Sequence, residues 1–469
     1  MAGCVALVVI GDGHPVAAYD FEVSARTEAY AYQLRRYDRD GLIVLNRRRI
    51  TQYLGLRVYN LLDPGQHAYG PDGERAPTLL SFHGMVRFFS DFGGYSEPTE
   101  PIEDLRDNRF ELLVGSLEGR NLFGFLDFSL GRQYAMELFD IVAYDGLRVR
   151  LRLPAKLFVE SHGGVQVNRT RPFGLAVFEP DGTAGERDTD RAWAPTFGVA
   201  AGIDHPRRFS LRLAYRAVMS RAVAAEGELD EQPASWAMDQ EILVASAQAV
   251  LPSLGTQLSA SLRYNVINAS FDELSAGLAQ PLVPGQRAEL EVLRSRPHFD
   301  GDSIFNVFAL EAFHELAGRY SLRLLPGLLV EARVGYRWLW QDESERGSPG
   351  SLSLALSTLW RYRRLWTSAD AFLLDGREGR RFGGDLFAGW RSPRWFFGRR
   401  LTLEGRVSLV HVEDVRPEVE ALTTLGLQAG ATMRFLPGVR LHVTLEENVS
   451  RLYKSALRLL TLLDLELAP

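Results

Sequence analysis

The sequence predicts an all-β protein, a transmembrane antiparallel up-and-down β-barrel of about 18–20 strands. Three observations carry this. Residues 328–341 (LLVEARVGYRWLWQ) place Leu328, Val330, Ala332, Val334, Tyr336, Trp338 and Trp340 on one parity, and Glu331, Arg333, Gly335, Arg337 and Gln341 on the other. Side chains two apart share a face of a strand, so this run has one apolar face and one charged face. A helix, turning about 100° per residue, would scatter Glu331 and Arg333 to opposite sides. Second, such runs are about twice the 5–6 residues of an ordinary strand, which suits the roughly 9–11 tilted residues that cross a hydrocarbon layer. Third, aromatics fall at the ends of runs (Trp338, Trp340, Trp360, Trp366), where interfacial girdles sit.

Composition agrees with spanning by strands. The chain has 469 residues, a formal charge of −6, 43 Gly and 16 Tyr, with a mean hydropathy of −0.11. Its one helix-like apolar run, residues 4–10, is far shorter than the roughly 20 residues a membrane helix needs. There is no basic tail or recognition helix, so nucleic acid is not an expected partner. A single cysteine, Cys4, excludes an internal disulfide framework and any multi-cysteine metal site. Residues 1–18 contain an apolar stretch and Val16-Ala17-Ala18, expected to be the remnant of a truncated signal segment. Residues 19–469 are expected to form one barrel domain.

The alternation recurs along the chain. Phe21, Val23 and Ala25 oppose Glu22, Ser24 and Arg26, and a basic interruption is expected over residues 35–49. Leu54, Leu56 and Val58 oppose Gly55, Arg57 and Tyr59; Phe82, Val86 and Phe88 oppose His83 and Arg87. Phe209, Leu211, Leu213 and Tyr215 oppose Arg212 and Arg216. Residues 270–302 are expected to be the longest loop. Tight turns at 251–255, 325–327, 362–365 and 436–438 fall at one end of the strands, and longer polar loops at the other. Outer-membrane barrels share this asymmetry, with short periplasmic turns and long external loops.

Residues 131–154 (GRQYAMELFDIVAYDGLRVRLRLP) carry a family resemblance. A Gly-Arg-Gln strand end, a short loop and then Asp145-Gly146-Leu147-Arg148-Val149-Arg150 resemble the strand pairs of bacterial outer-membrane porins. The resemblance implies a bacterial outer-membrane location, outer-membrane lipid as surroundings, and a pore lined by arginines on the returning strand. It does not specify a solute. Such barrels usually end in an aromatic residue, whereas this chain ends Leu465-Glu466-Leu467-Ala468-Pro469.

Chemistry-bearing motifs are scarce. No GxSxG, Walker-type or HExxH sequence occurs, and the nine histidines are scattered rather than spaced as ligands. No enzyme activity, cofactor or metal is expected. Three acidic groups, around Asp91–Asp107, Glu226–Glu231 and Glu413–Glu420, read either as cation bridges to anionic headgroups or as solvated loops. The sharper feature is basic. Arg148, Arg150 and Arg152 alternate with Leu147, Val149, Leu151 and Leu153, so they share a strand face at spacings of about 6.6–6.8 Å. Three like charges on a lipid-facing surface would be prohibitive, which leaves the lumen. By the same parity Arg57, Arg87, Arg212, Arg216, Arg263, Arg333 and Arg337 are expected to face inward, against the acids Asp127, Glu160, Glu331 and Glu404. The expected function is a passive channel for small solutes that prefers anions. The alternatives are a blocked barrel that scaffolds partner proteins, and an outer-membrane enzyme; as partners, a homo-oligomer and other proteins are both left open.

Overall fold

The computed structural model describes residues 20–36, 43–62, 79–91, 108–137, 140–167, 194–205, 208–221, 236–296, 312–339, 350–376, 379–393, 400–414, 420–451 and 453–467. The first strands in chain order are β1 (Phe21–Arg36), β2 (Ile43–Val58), β3 (Leu80–Asp91), β4 (Asn108–Leu122), β5 (Leu126–Glu137), β6 (Asp140–Arg152) and β7 (Leu157–Gln166). Then come β8 (Pro195–His205), β9 (Phe209–Arg221), β10 (Trp236–Leu251), β11 (Thr256–Asn265), β12 (Ser270–Pro281), β13 (Gln286–Ser295) and β14 (Phe313–Leu325). The last are β15 (Leu328–Leu339), β16 (Ser351–Tyr362), β17 (Leu365–Gly376), β18 (Gly379–Arg391), β19 (Arg400–Glu413), β20 (Leu422–Leu436), β21 (Val439–Ser450) and β22 (Tyr453–Leu467).

Every strand pairs antiparallel with its sequence neighbours, and β1 pairs with β22 from Val23↔Leu467 to Arg36↔Tyr453. The sheet therefore closes on itself as one up-and-down barrel of 22 strands. A closed sheet has no edge, which is the condition for strands to lie in hydrocarbon. This is the architecture of outer-membrane barrels. The count exceeds the sequence expectation by two strands, and the difference lies in residues 270–302. Much of that stretch is β12 and β13, joined through residues 282–285. Its inward face mixes Glu273, Gly277, Glu289 and Glu291 with small residues, so the polarity of a lumenal wall reads like that of a loop. The basic interruption expected over residues 35–49 is likewise mostly strand: β1 runs to Arg36 and β2 begins at Ile43.

Many of the tight connections fall at the end that holds both described termini, although the turn 266–269 between β11 and β12 lies at the other end. Among the former are residues 252–255, 326–327, 363–364 and 437–438. Pro326-Gly327 shows why the residue type matters. Gly327 adopts φ +88°, and a Cβ there would run into the carbonyl oxygen of Arg361. Proline followed by a left-handed glycine is the requirement of a type II turn.

Parity separates the two faces. On β15, Val334 is 53% exposed and Tyr336 48%, while Glu331, Arg333 and Arg337 point to the opposite side. The same apolar outer face continues through Leu54, Phe82, Leu147, Val199, Leu213, Leu290, Leu354, Leu386 and Leu427. Closing strand β22 adds Leu457, Leu459, Leu465 and Leu467. An apolar belt of this extent around a closed barrel faces lipid. Trp338 and Trp360 stand on this outer face. Trp366 does not, because its register partners Arg361 and Gly389 place it on the inner face. It sits at a strand end, but one residue out of phase with a girdle position. Residues 1–18, Cys4, Trp340 and most of the three acidic groups lie outside the described residues.

The two faces make a prediction at neighbouring positions. Arginine at a lipid-facing midplane position costs about 2–4 kcal/mol. Val334→Arg should therefore lose most of its insertion in a lipid-vesicle folding assay. Arg333→Val should lose no more than about 1 kcal/mol, the range of a part-exposed ion pair. Equal yields of the two variants would contradict the assigned parity.

Candidate lumenal site

Closure points one residue in two of every strand into the barrel, and those residues are rich in charge. On β6, Arg148, Arg150 and Arg152 oppose Leu147 and Leu151, which are exposed on the outer side. The three arginines differ in their surroundings. Arg152 is bound to Asp127 of β5 at 2.8 Å. Arg150 lies 4.0 Å from Glu160 of β7 and covers the ring of Phe158, 4.1 Å from its centroid. Arg148 is exposed and makes no ion pair with a described residue.

The other predicted arginines share this inner face and are largely matched by acids. Arg57 lies 3.7 Å from Glu22, whose carboxylate also accepts a 2.9 Å hydrogen bond from the Tyr59 hydroxyl. Arg87 binds Glu111, which is fully buried. Arg212 reaches Glu160 at 3.3 Å. Arg216, only 1% exposed, donates to the side-chain oxygen of Gln240 at 2.5 Å. Arg263 lies 3.7 Å from buried Asp272. Arg333 and Arg337 share Glu315, at 2.7 and 2.9 Å. Of the predicted acids, Asp127 and Glu160 are placed above. Glu331 binds Arg319 at 3.2 Å. Glu404 points inward beside Gly389 and Gly430 without an ion pair to a described residue.

A recurring unit appears on this wall: one carboxylate held between two guanidinium groups. Glu160 lies between Arg150 and Arg212, Glu315 between Arg333 and Arg337, and Asp464 between Arg26 (2.6 Å) and Arg440 (2.9 Å). In the Arg26–Asp464–Arg440 unit two guanidinium groups face one carboxylate among the described residues. The converse also occurs, since Arg319 is shared by Glu289 (3.5 Å) and Glu331 (3.2 Å). Glu22, Glu111, Glu315, Asp385 and Asp464 are acids that the sequence reading did not single out. Their parity was available in the sequence. Their partners were not, because a pair such as Arg26 and Asp464 is made by closure between the first and last strands.

The inner wall also has neutral and aromatic sectors. His442 is bracketed by Thr432 and Thr444 at 2.7 and 2.6 Å, an ordinary polar contact. His83 and His162 also face inward, whereas His411 is on the outer side beside Phe382, Thr423 and Glu413. Ala200, Ala214, Ile242 and Val244 face inward as a buried apolar cluster, none more than 7% exposed. No group of metal-ligating side chains forms among the described residues.

No family model matches the chain, and no curated protein matches it. Among solved structures it is similar to the translocation pore of the P pilus usher PapC, at 9% identity over 95% of this chain and 99% of that one, with a TM-score of 0.49. It is also similar to OccAB4 of Acinetobacter baumannii, at 6% identity over 97% and 100% of the two chains, TM-score 0.43. A third is a BenF-like porin from Pseudomonas fluorescens Pf-5, at 9% identity over 96% and 99%, TM-score 0.40. At these identities no correspondence between individual residues follows.

The Arg87–Glu111 contact is the pair for which burial makes the sharpest prediction. Removing one partner of a buried pair costs about 3–5 kcal/mol, whereas replacing both by apolar groups is often close to neutral. Arg87→Met should thus lower the urea midpoint of the reconstituted barrel more than the double change Arg87→Met, Glu111→Leu. An equal loss in the two would mean that the pair contributes only packing.

Proposed function

We propose that this chain is an outer-membrane channel for passive diffusion of small solutes, with a preference for anions set by the inward arginines. The observation that carries the reading is the closed barrel whose outer face is apolar and whose inner face is charged. A lumen lined this way takes water and ions, and lining charge sets which ions enter. The preference rests on what stays unbalanced after pairing. Asp464 is one carboxylate held by two guanidinium groups, Arg26 and Arg440, and Arg148 faces the lumen with no described counterion. A confined, weakly polarisable wall concentrates such a field.

One observation favours a second reading, a barrel whose lumen is filled and which acts as a scaffold. Ile242 is fully buried although its parity is inward, and Val244, Ala200 and Ala214 surround it. Water-lined wall would leave such side chains exposed.

Conductance separates the two. In a planar bilayer the purified chain should give stepwise currents, and a salt gradient should give a reversal potential of the anion-selective sign. The preference should shrink as salt rises toward 1 M, where the Debye length falls to about 3 Å. Replacing Arg148, Arg150 and Arg152 together with Gln should shift the reversal potential toward cations. Glu315→Gln, which removes the carboxylate shared by Arg333 and Arg337, should shift it the other way. An absence of current would favour the filled barrel. A cation-selective wild type, or two variants that leave the potential unmoved, would remove the arginines from the mechanism.

A further inference from the structure

Outward-facing charge is costly in a barrel, so each instance asks for a partner. Several polar groups on the outer face near the strand ends have one within the chain. Arg132 forks onto Asp145 at 2.7 and 2.9 Å. The Tyr215 hydroxyl donates to Glu241 at 2.7 Å, and His411 meets Glu413 at 3.2 Å. Not every outward cation has one. Arg294 of β13 has the outward parity of Leu290 and Val292, which are 50% and 41% exposed. It makes no ion pair with a described residue, and its Nε is enclosed without a hydrogen-bond partner. Arg296, two residues on, is exposed and similarly unmatched. Its backbone N–H still pairs with the Asp272 carbonyl at 2.7 Å, so the chain has not yet left the sheet.

The neighbours of Arg294 define what would suit it. His314 lies directly opposite on β14, and Trp338 opposite His314 on β15. The His314 and Trp338 rings stack at 5.5 Å and 14°, and Tyr336 continues the stack at 6.0 Å and 27°. Below this row, toward the middle of the belt, the same face is Val292, Leu316 and Val334. The row stands at the end opposite the tight turns 282–285 and 326–327, the external end of an outer-membrane barrel. The sequence on this face therefore runs from apolar, through aromatic, to guanidinium. A lipid presents the same order, from acyl chain through interfacial backbone to headgroup.

We propose that Arg294 and Arg296, with the His314–Trp338–Tyr336 stack, bind the phosphate of an anionic lipid headgroup. The inference rests on the membrane-embedded barrel and is independent of whether the lumen conducts. A guanidinium offers two parallel N–H donors that match two phosphate oxygens, and the contact strengthens at the poorly hydrated membrane interface. Tryptophan and tyrosine partition to the same depth because one end of each ring system is polar. Val292, Leu316 and Val334 would lie along the acyl chain of the same lipid.

The test uses the full chain in detergent, with phosphatidic acid and phosphatidylcholine as probes, and native mass spectrometry to count retained lipid. The wild type should retain phosphatidic acid over phosphatidylcholine. Arg294→Gln with Arg296→Gln should weaken that retention by at least about tenfold, the worth of one charge-assisted hydrogen bond. Folding of the variant is read from its heat-modifiable mobility, which should match the wild type. If the double variant fails to fold, Arg296→Gln alone is read, at an expected loss of about threefold. Undiminished retention in the folded variant would overturn the site. Equal retention of phosphatidylcholine would overturn the assignment to an anionic headgroup. Displacement of the lipid by an equal concentration of inorganic phosphate would overturn the role of the aromatic and apolar rows.

Discussion

Backbone hydrogen bonding across the β1–β22 seam is the constraint on which everything else depends. In hydrocarbon no water can take up a stray N–H or carbonyl, so an open sheet would leave two unsatisfied edges. The pairing of Val23 through Arg36 with the last strand removes both. Once the ring is closed, inside and outside are defined, and parity sorts every side chain between two solvents. Leu213 and Val334 then meet lipid while Arg212 and Arg333 meet the lumen, with no further information needed.

That sorting creates an electrostatic problem that register solves. An inner wall dense in arginine would repel itself if its cations were left alone. Antiparallel pairing places acids on neighbouring strands within reach: Arg87 of Glu111, Arg152 of Asp127, Arg406 of Asp385 at 2.6 Å. The part-exposed pairs, Arg152–Asp127 and Arg406–Asp385, each add little to stability, about 0–1 kcal/mol. Their effect is to hold the guanidinium groups in fixed places on the wall. The field felt by a solute is what remains after pairing, so a count of arginines overstates it.

Trp366, Trp338 and Glu315 show how much of this was legible in the chain. The outward position of Trp338 follows from its place in an unbroken alternation from Leu328. Trp366 also sits at a strand end, yet it faces inward because Arg361 and Gly389 are its register partners. Proximity to a strand end was visible, and phase was not. Glu315 was overlooked because its neighbours His314 and Leu316 make a weak pattern on their own. Its importance appears only when β15 brings Arg333 and Arg337 to either side. The two strands within residues 270–302 were missed for a related reason: a lumenal face built from serine, glycine and glutamate has the composition of a loop.

The sequence by itself determined the architecture and the two faces. A period of two over runs long enough to cross a bilayer admits few other folds, and it assigns most side chains to lipid or water by counting alone. Only the tertiary structure decided the number of strands, which charges neutralise one another, and which outward cations are left without a counterion. Those depend on register and ring closure, which bring residues as distant as Arg26 and Asp464 to 2.6 Å. Each strand's alternation is a local property of the chain. Its alignment against the next strand is set by the whole ring and is written in no single stretch of it.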